Sequence, residues 1–204
     1  MKTLDGKEQE NFYDGEGLRA GLTENGKRTT FLYHNGEILT ECEGESAPVR
    51  RHIRGTGLSC VQTTQDNVYH TYYQDEQGST AYITGHENEV ENCYRYDAFG
   101  NLIEQKATIE NRILYTGQQY DQETGRYYLR ARYYNPVVGR FRQEDTYRGD
   151  GLNLYAYCAN NPVVYYDLSG HVKNNCPEEL GVKPKIHRLK RPLKELLKRL
   201  LGKS

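Results

Sequence analysis

YTGQQYDQETGRYYLRARYYNPVVGRFRQEDTYRGDGLNLYAYCANNPVVYYDLSG, residues 115–170, decides how this chain is read. Three tyrosine-rich runs stand out within it: YYLRARYY (127–134), NLYAYC (153–158) and VVYYD (163–167). Turn chemistry separates them at Glu123-Thr124-Gly125, Asn135-Pro136, Val138-Gly139, Arg148 to Gly151 and Asn160-Asn161-Pro162. Tyr and Val favour the pleated, half-buried surface of a strand, whereas Gly, Asn and Asp accept positive φ and Pro presets φ for a turn. Short strands at such regular spacing predict an all-β meander rather than a parallel sheet with crossover helices.

The same pattern runs upstream. Asp14-Gly15, Asn25-Gly26 and Asn35-Gly36 are turn dipeptides set between apolar or β-branched runs, the strongest short-range hairpin signal. Residues 43–50 (EGESAPVR) read as a polar loop, and RHIRGTGLSCVQ as one further strand bent at Gly55 and Gly57. Residues 69–105 predict three or four more strands, with turns at Gln77-Gly78, Gly85 to Asn88 and Phe99-Gly100-Asn101. YRYDAFGNLIEQ, YYQDEQGSTAYIT, YHNGEILTE and QQYDQETGRYYLRARYY are loose copies of one unit with a period near twenty residues, the mark of a repeat architecture.

Composition fits thin β-structure. Mean hydropathy is −0.92 and only 36% of residues are hydrophobic, but 19 are Tyr, which buries a large ring while keeping a polar tip. Residues 171–204 carry ten Lys/Arg against three Asp/Glu, a balance of +7, leaving 17 basic and 25 acidic residues and −8 in 1–170. A compositional boundary therefore lies near Gly170. The five cysteines are widely spaced without a Cys-x-x-Cys pair, which argues against a disulfide framework and a tetrahedral zinc site. No nucleophile motif, phosphate loop or cofactor-binding motif occurs, and the six histidines are scattered. The start, MKTLDGKEQENFY, lacks the apolar segment of a signal peptide, and no run approaches the ~20 apolar residues of a membrane-spanning helix.

Residues 115–170 closely resemble the core domain of RHS/YD-repeat proteins, the terminal module of bacterial polymorphic toxins and of the C subunits of insecticidal toxin complexes. The upstream copies resemble that family's tyrosine-aspartate repeat, so the likeness extends from about Tyr13. It implies repeats over 11–114, a core domain over 115–170 and a variable tail over 171–204, after an unstructured start over 1–10. In the family the repeats spiral into a hollow shell that the core domain caps. The implied partners are the remainder of a larger shell or its delivery machinery, and an immunity protein. The implied location is secreted or at the cell surface, as part of a larger protein.

Some members cut their own chain shortly after an Asp-Pro-x-Gly motif, using two aspartates and a supporting arginine. Residue by residue, these fall on Asp145, Asp167 and Arg132, with the bond after His171 as the candidate cut. Two close carboxylates do not ionise together easily, so one holds a proton for the carbonyl while the other activates water. Two departures stand out: Leu168 replaces the usual Pro, and His171 stands where an apolar residue is common. Asp is also an ordinary turn former, and both aspartates neighbour turn signals. Asn153, Asn160, Asn161 and Pro162 read as structural, and Arg130, Arg140 and Arg142 as partners of tyrosines or acidic side chains.

Beyond Gly170 a polar linker leads to IHRLKRPLKELLKRLLGKS (186–204), whose leucines recur at helical spacing opposite Lys and Arg. A short basic helix is expected over Pro192–Leu201. It either packs its apolar stripe on the shell or contacts anionic membrane or nucleic acid. Two rival readings of the whole chain stay open: a cell-surface adhesion or carbohydrate-binding YD-repeat module, and a non-functional remnant.

Overall fold

Asn25-Gly26 and Asn35-Gly36 form the hairpins their sequence predicts. The two Asn residues take φ of 49° and 52° and the two Gly 82° and 75°, so each pair closes a two-residue turn between Glu24 and Lys27, and between His34 and Glu37. The computed structural model describes residues 8–175 apart from 45, 56, 149 and 150. Within them ten strands make one antiparallel sheet in which each pairs only with its sequence neighbours. They are β1 (Gln9–Phe12), β2 (Gly21–Glu24), β3 (Lys27–His34), β4 (Glu37–Glu43) and β5 (Pro48–Arg54). The second half is β6 (Leu58–Thr63), β7 (Tyr69–Gln74), β8 (Thr80–Thr84), β9 (Val90–Tyr96) and β10 (Leu102–Ala107).

A second turn type explains the repeat. At Asp14, Asp75 and Asp97 the aspartate Oδ1 accepts the backbone N–H groups two and four residues on, at 2.8–2.9 Å. The aspartate carbonyl accepts the N–H of Gly17, Gly78 or Gly100 at 3.0–3.1 Å. The side chain and carbonyl of one aspartate thus satisfy three successive donors of the hairpin tip, which is why Asp-x-x-Gly recurs.

The inner face of the sheet carries Leu22, Phe31, Ile38, Leu58, Val61, Tyr72, Ile83 and Tyr94, all buried. They share one core with Ile113, Leu114, Tyr115, Tyr127, Leu129, Tyr134, Phe141 and Tyr157 from the C-terminal module. That module holds a four-stranded sheet, β11 (Gln119–Asp121), β12 (Arg126–Leu129), β13 (Arg132–Asn135) and β14 (Arg140–Phe141). It also holds a hairpin of β15 (Tyr165–Asp167) with β16 (Lys173–Asn175). Three of the buried tyrosines anchor their tips on one turn. Tyr115, Tyr134 and Tyr127 donate to three successive carbonyls of the β9–β10 turn, Ala98, Phe99 and Gly100, at 2.8, 2.8 and 2.9 Å. Arg19, fully buried, bonds both Asp121 oxygens at 2.8 and 2.6 Å and ties the repeat sheet to the module.

Several readings of single segments need correction. YYLRARYY is not one strand but β12 and β13, joined at Arg130-Ala131 with Leu129 opposite Arg132. RHIRGTGLSCVQ likewise splits into β5 and β6, and the loop read to residue 50 gives way to strand at Pro48. NLYAYC is no strand: Ala156 makes a lone bridge to Arg140, and Cys158, Ala159 and Asn160 follow in left-handed backbone. Pairing starts at Gln9, two residues before the boundary read at Asn11, and continues past Gly170 through β16. The basic helix expected over Pro192–Leu201 lies outside the described residues. Among the described residues no helix is long and apolar enough to cross a membrane.

Candidate functional site

Arg132, at the start of β13, is 3% exposed, and its guanidinium makes three different bonds. Nη2 pairs with Asp145 Oδ2 at 2.6 Å, Nη1 donates to the Leu154 carbonyl at 2.9 Å, and Nε donates to the Gly170 carbonyl. Its plane lies over the Phe141 ring with 3.6 Å from carbon to centroid. The planar, forked donor set of Arg suits such a multiple clamp in a way that Lys does not.

Asp145 follows β14 in a short loop. Its Oδ1 accepts the Tyr147 N–H at 2.9 Å and meets His171 Nδ1 at 2.8 Å. Asp167 ends β15 and is 2% exposed. Its Oδ1 accepts the N–H of Ser169 at 2.9 Å, the N–H of Gly170 at 2.8 Å and the Ser169 hydroxyl at 3.1 Å. Burial pushes the Asp167 carboxyl above its usual range, against these hydrogen bonds and the Arg132 charge.

The segment between these groups is pinned. The Ala131 N–H donates to the Ser169 carbonyl at 3.2 Å. Gly170 has φ of +78°, and a Cβ there would collide with the Leu129 carbonyl oxygen, so only glycine lets the strand end lie this close. Ser169 Oγ accepts the N–H of His171 at 3.1 Å and of Val172 at 3.2 Å. All four residues named from the sequence therefore meet: Asp145 reaches the segment through His171, Asp167 through Ser169 and Gly170, and Arg132 through the Gly170 carbonyl. A cleft bounded by Arg132, Asp145, Asn153, Asp167 and His171 has about 20 Å³ for a water-sized occupant, room for one water. His171 shares Asp145 Oδ1 with the Tyr147 N–H, and its side chain is 35% exposed. With Leu168 at the position of the proline, Asp167 is bonded to Ser169 and Gly170.

Sequence reading missed Ser169 and the Leu154 carbonyl. The first had a signal, since Ser two residues after Asp and before Gly is a turn pattern. The second, a backbone acceptor in a loop, had none. Among the described residues no group of three His, Cys, Asp or Glu side chains is placed to hold a metal ion.

No protein-family model matches the chain. It is 35% identical over 169 residues to the tRNA3(Ser)-specific nuclease WapA of Bacillus spizizenii, an alignment covering 78% of this chain and 7% of that protein. It is 46% identical over 59 residues to the toxin protein Tse5 of Pseudomonas aeruginosa, 28% of this chain and 4% of that one. Among solved structures, a crystal structure of TcdB2-TccC3 matches with a TM-score of 0.67 at 24% identity, over 81% of this chain and 9% of that chain. At that identity the likeness concerns the fold. The chain spans less than a tenth of each of these proteins.

Proposed function

This chain belongs to the RHS/YD-repeat family of polymorphic-toxin proteins, and from that premise we infer that it caps one end of a larger toxin-enclosing shell and cuts itself after His171. Support for the shell comes from the sheet. Among the described residues β1 and β10 each have one strand partner, and an unpaired ladder edge is a template for further strands. The alignment with WapA carries no nuclease activity here, because it covers 7% of that protein.

One observation carries the cut. Arg132 holds the Asp145 carboxylate and the Gly170 carbonyl at once, while Asp167 holds the next turn of the same segment. On this reading the bond between His171 and Val172 is worked by an arginine-paired carboxylate, Asp145, and a buried carboxyl, Asp167. Asp145, once the His171 ring turns outward, takes a proton from a water in the cleft. The water oxygen attacks the His171 carbonyl carbon. Asp167, whose proton burial helps to retain, supplies the acid.

The test is the intact mass of the purified 204-residue chain beside Asp145→Asn and Asp167→Asn variants. Loss of everything from Val172 onward in the wild type, with both variants whole, is the expected result. A wild-type chain that is folded by circular dichroism and uncut refutes the cleavage and leaves the module a structural cap.

A further inference from the structure

An amide nitrogen departs as an amine only once it is protonated, so the cut after His171 needs a proton at Val172 N. In the structure that nitrogen is bonded to Ser169 Oγ at 3.2 Å, and Ser169 Oγ is bonded to Asp167 Oδ1 at 3.1 Å. A serine hydroxyl has one hydrogen and two lone pairs. Here the N–H groups of His171 and Val172 take both lone pairs, at 3.1 and 3.2 Å, so the one hydrogen is directed at Asp167. The hydroxyl is oriented by its own neighbours and stands between the acid and the atom that must receive its proton.

We propose that Ser169 relays the proton from Asp167 to the leaving nitrogen of Val172. The proposal rests on the cut inferred above. Water attacks the His171 carbonyl carbon, a C–O bond forms and Asp145 takes a water proton. As the C–N bond breaks, the nitrogen becomes pyramidal and inverts, so that its lone pair replaces the N–H facing Ser169. The inversion frees one lone pair on Oγ, the hydroxyl turns its hydrogen from Asp167 to the nitrogen, and as that hydrogen transfers, the proton held by Asp167 moves onto Oγ. The products are a carboxyl group on His171 and a free amine on Val172, and exchange with solvent returns Asp145 and Asp167 to their starting states. The simpler role for Ser169 is to hold the turn, through its backbone N–H to Asp167 at 2.9 Å and through the two N–H groups its hydroxyl accepts, so the isotope dependence is what separates the two roles.

Cell-free synthesis of the full chain, followed by mass against time, separates the two roles. The variants are Ser169→Ala and Ser169→Thr, each measured in mixtures of light and heavy water. The relay requires Ser169→Ala to cut at least about tenfold more slowly, since positioned proton transfer contributes about 10²–10⁴-fold. Ser169→Thr, which keeps the hydroxyl, stays near the wild-type rate. The rate falls along a curve with deuterium fraction in the wild type, where two protons move together, and along a straight line in Ser169→Ala. An alanine variant cutting at the wild-type rate overturns the relay alone, as do equal losses in Ala and Thr or a curve that persists in Ala. A wild type that never cuts overturns both the relay and the cleavage reading.

Discussion

Gly170→Ala tests the clamp on the 169–172 segment with the least change of chemistry. Left-handed backbone costs an alanine about 1–2 kcal/mol by itself. The added Cβ would also collide with the Leu129 carbonyl oxygen and lie 3.0 Å from the Arg132 backbone nitrogen, neither of which a rotamer change can move. The segment has to lift from the β12–β13 turn instead. That gives up the bond from the Arg132 guanidinium to the Gly170 carbonyl, worth about 1.5–3 kcal/mol, and those from Gly170 to Asp167 and from Ala131 to Ser169, about 1 kcal/mol each. Lifting therefore costs about 4 kcal/mol, or about three decades in an opening equilibrium. Hydrogen exchange read by mass spectrometry, with Gly170 and Gly170→Ala compared in an Asp145→Asn background, checks it. The Ala131, Gly170 and Val172 amides should lose about a thousandfold of protection, while strands β2 to β9 keep theirs. Unchanged protection in 169–172 would refute the clamp.

Three further outcomes follow from the same geometry. His171→Leu removes the ring from Asp145 Oδ1 and should speed cutting several-fold; a rate equal to the wild type means the ring does not obstruct the carboxylate. Asp121→Ala leaves Arg19 buried without its carboxylate and should cost about 3–5 kcal/mol in urea unfolding, and a loss below 1 kcal/mol would show that the pair is dispensable. Burial alone would raise the Glu41 carboxyl, but the His52 hydrogen bond with the charges of Arg112, His52 and Arg50 holds it at about 2, against 4.5 unperturbed. A lowered carboxyl stabilises the fold above its unfolded value and loses that as pH falls from 4.5 towards 2, here about 3 kcal/mol. Urea melts of the wild type and Glu41→Gln from pH 5 to 2.5 measure it, and equal pH slopes would sink the assignment.

Asn25-Gly26, Asn35-Gly36 and the Asp-x-x-Gly tips were legible because their information is local: the residue types demand the backbone they adopt. YYLRARYY misled because strand propensity does not register a two-residue turn. Arg130 takes φ of +55° there, in a position tied by its ion pair to Glu37, 93 residues upstream. NLYAYC misled for a related reason. Tyr157 stacks on Tyr134 at 4.1 Å between centroids, and meeting that ring from another segment bends the chain away from any strand. The aspartates and Arg132 were named through family resemblance and not through any spacing rule, since 22 positions separate Asp145 from Asp167 and the fold alone closes that gap. The tyrosine surplus could be read as strand filler or as a sugar-binding surface. The hydroxyls of Tyr115, Tyr127 and Tyr134, engaged with one hairpin tip, place those three in the scaffold.

The neighbour-only pairing of β1 to β10 has a consequence for how the chain is made. Each hairpin needs only the residues just before it, so the sheet can assemble strand by strand as a ribosome extends the chain from its N-terminus. Arg132, Asp145 and the 167–172 segment emerge after all ten strands of that sheet, so the elements they pack on, tied to it by Arg19–Asp121 and by Tyr134 at the β9–β10 tip, have their partners made before them. Closure of the site is thereby coupled to the fold as a whole, because its residues hang on elements that pack against the sheet made before them.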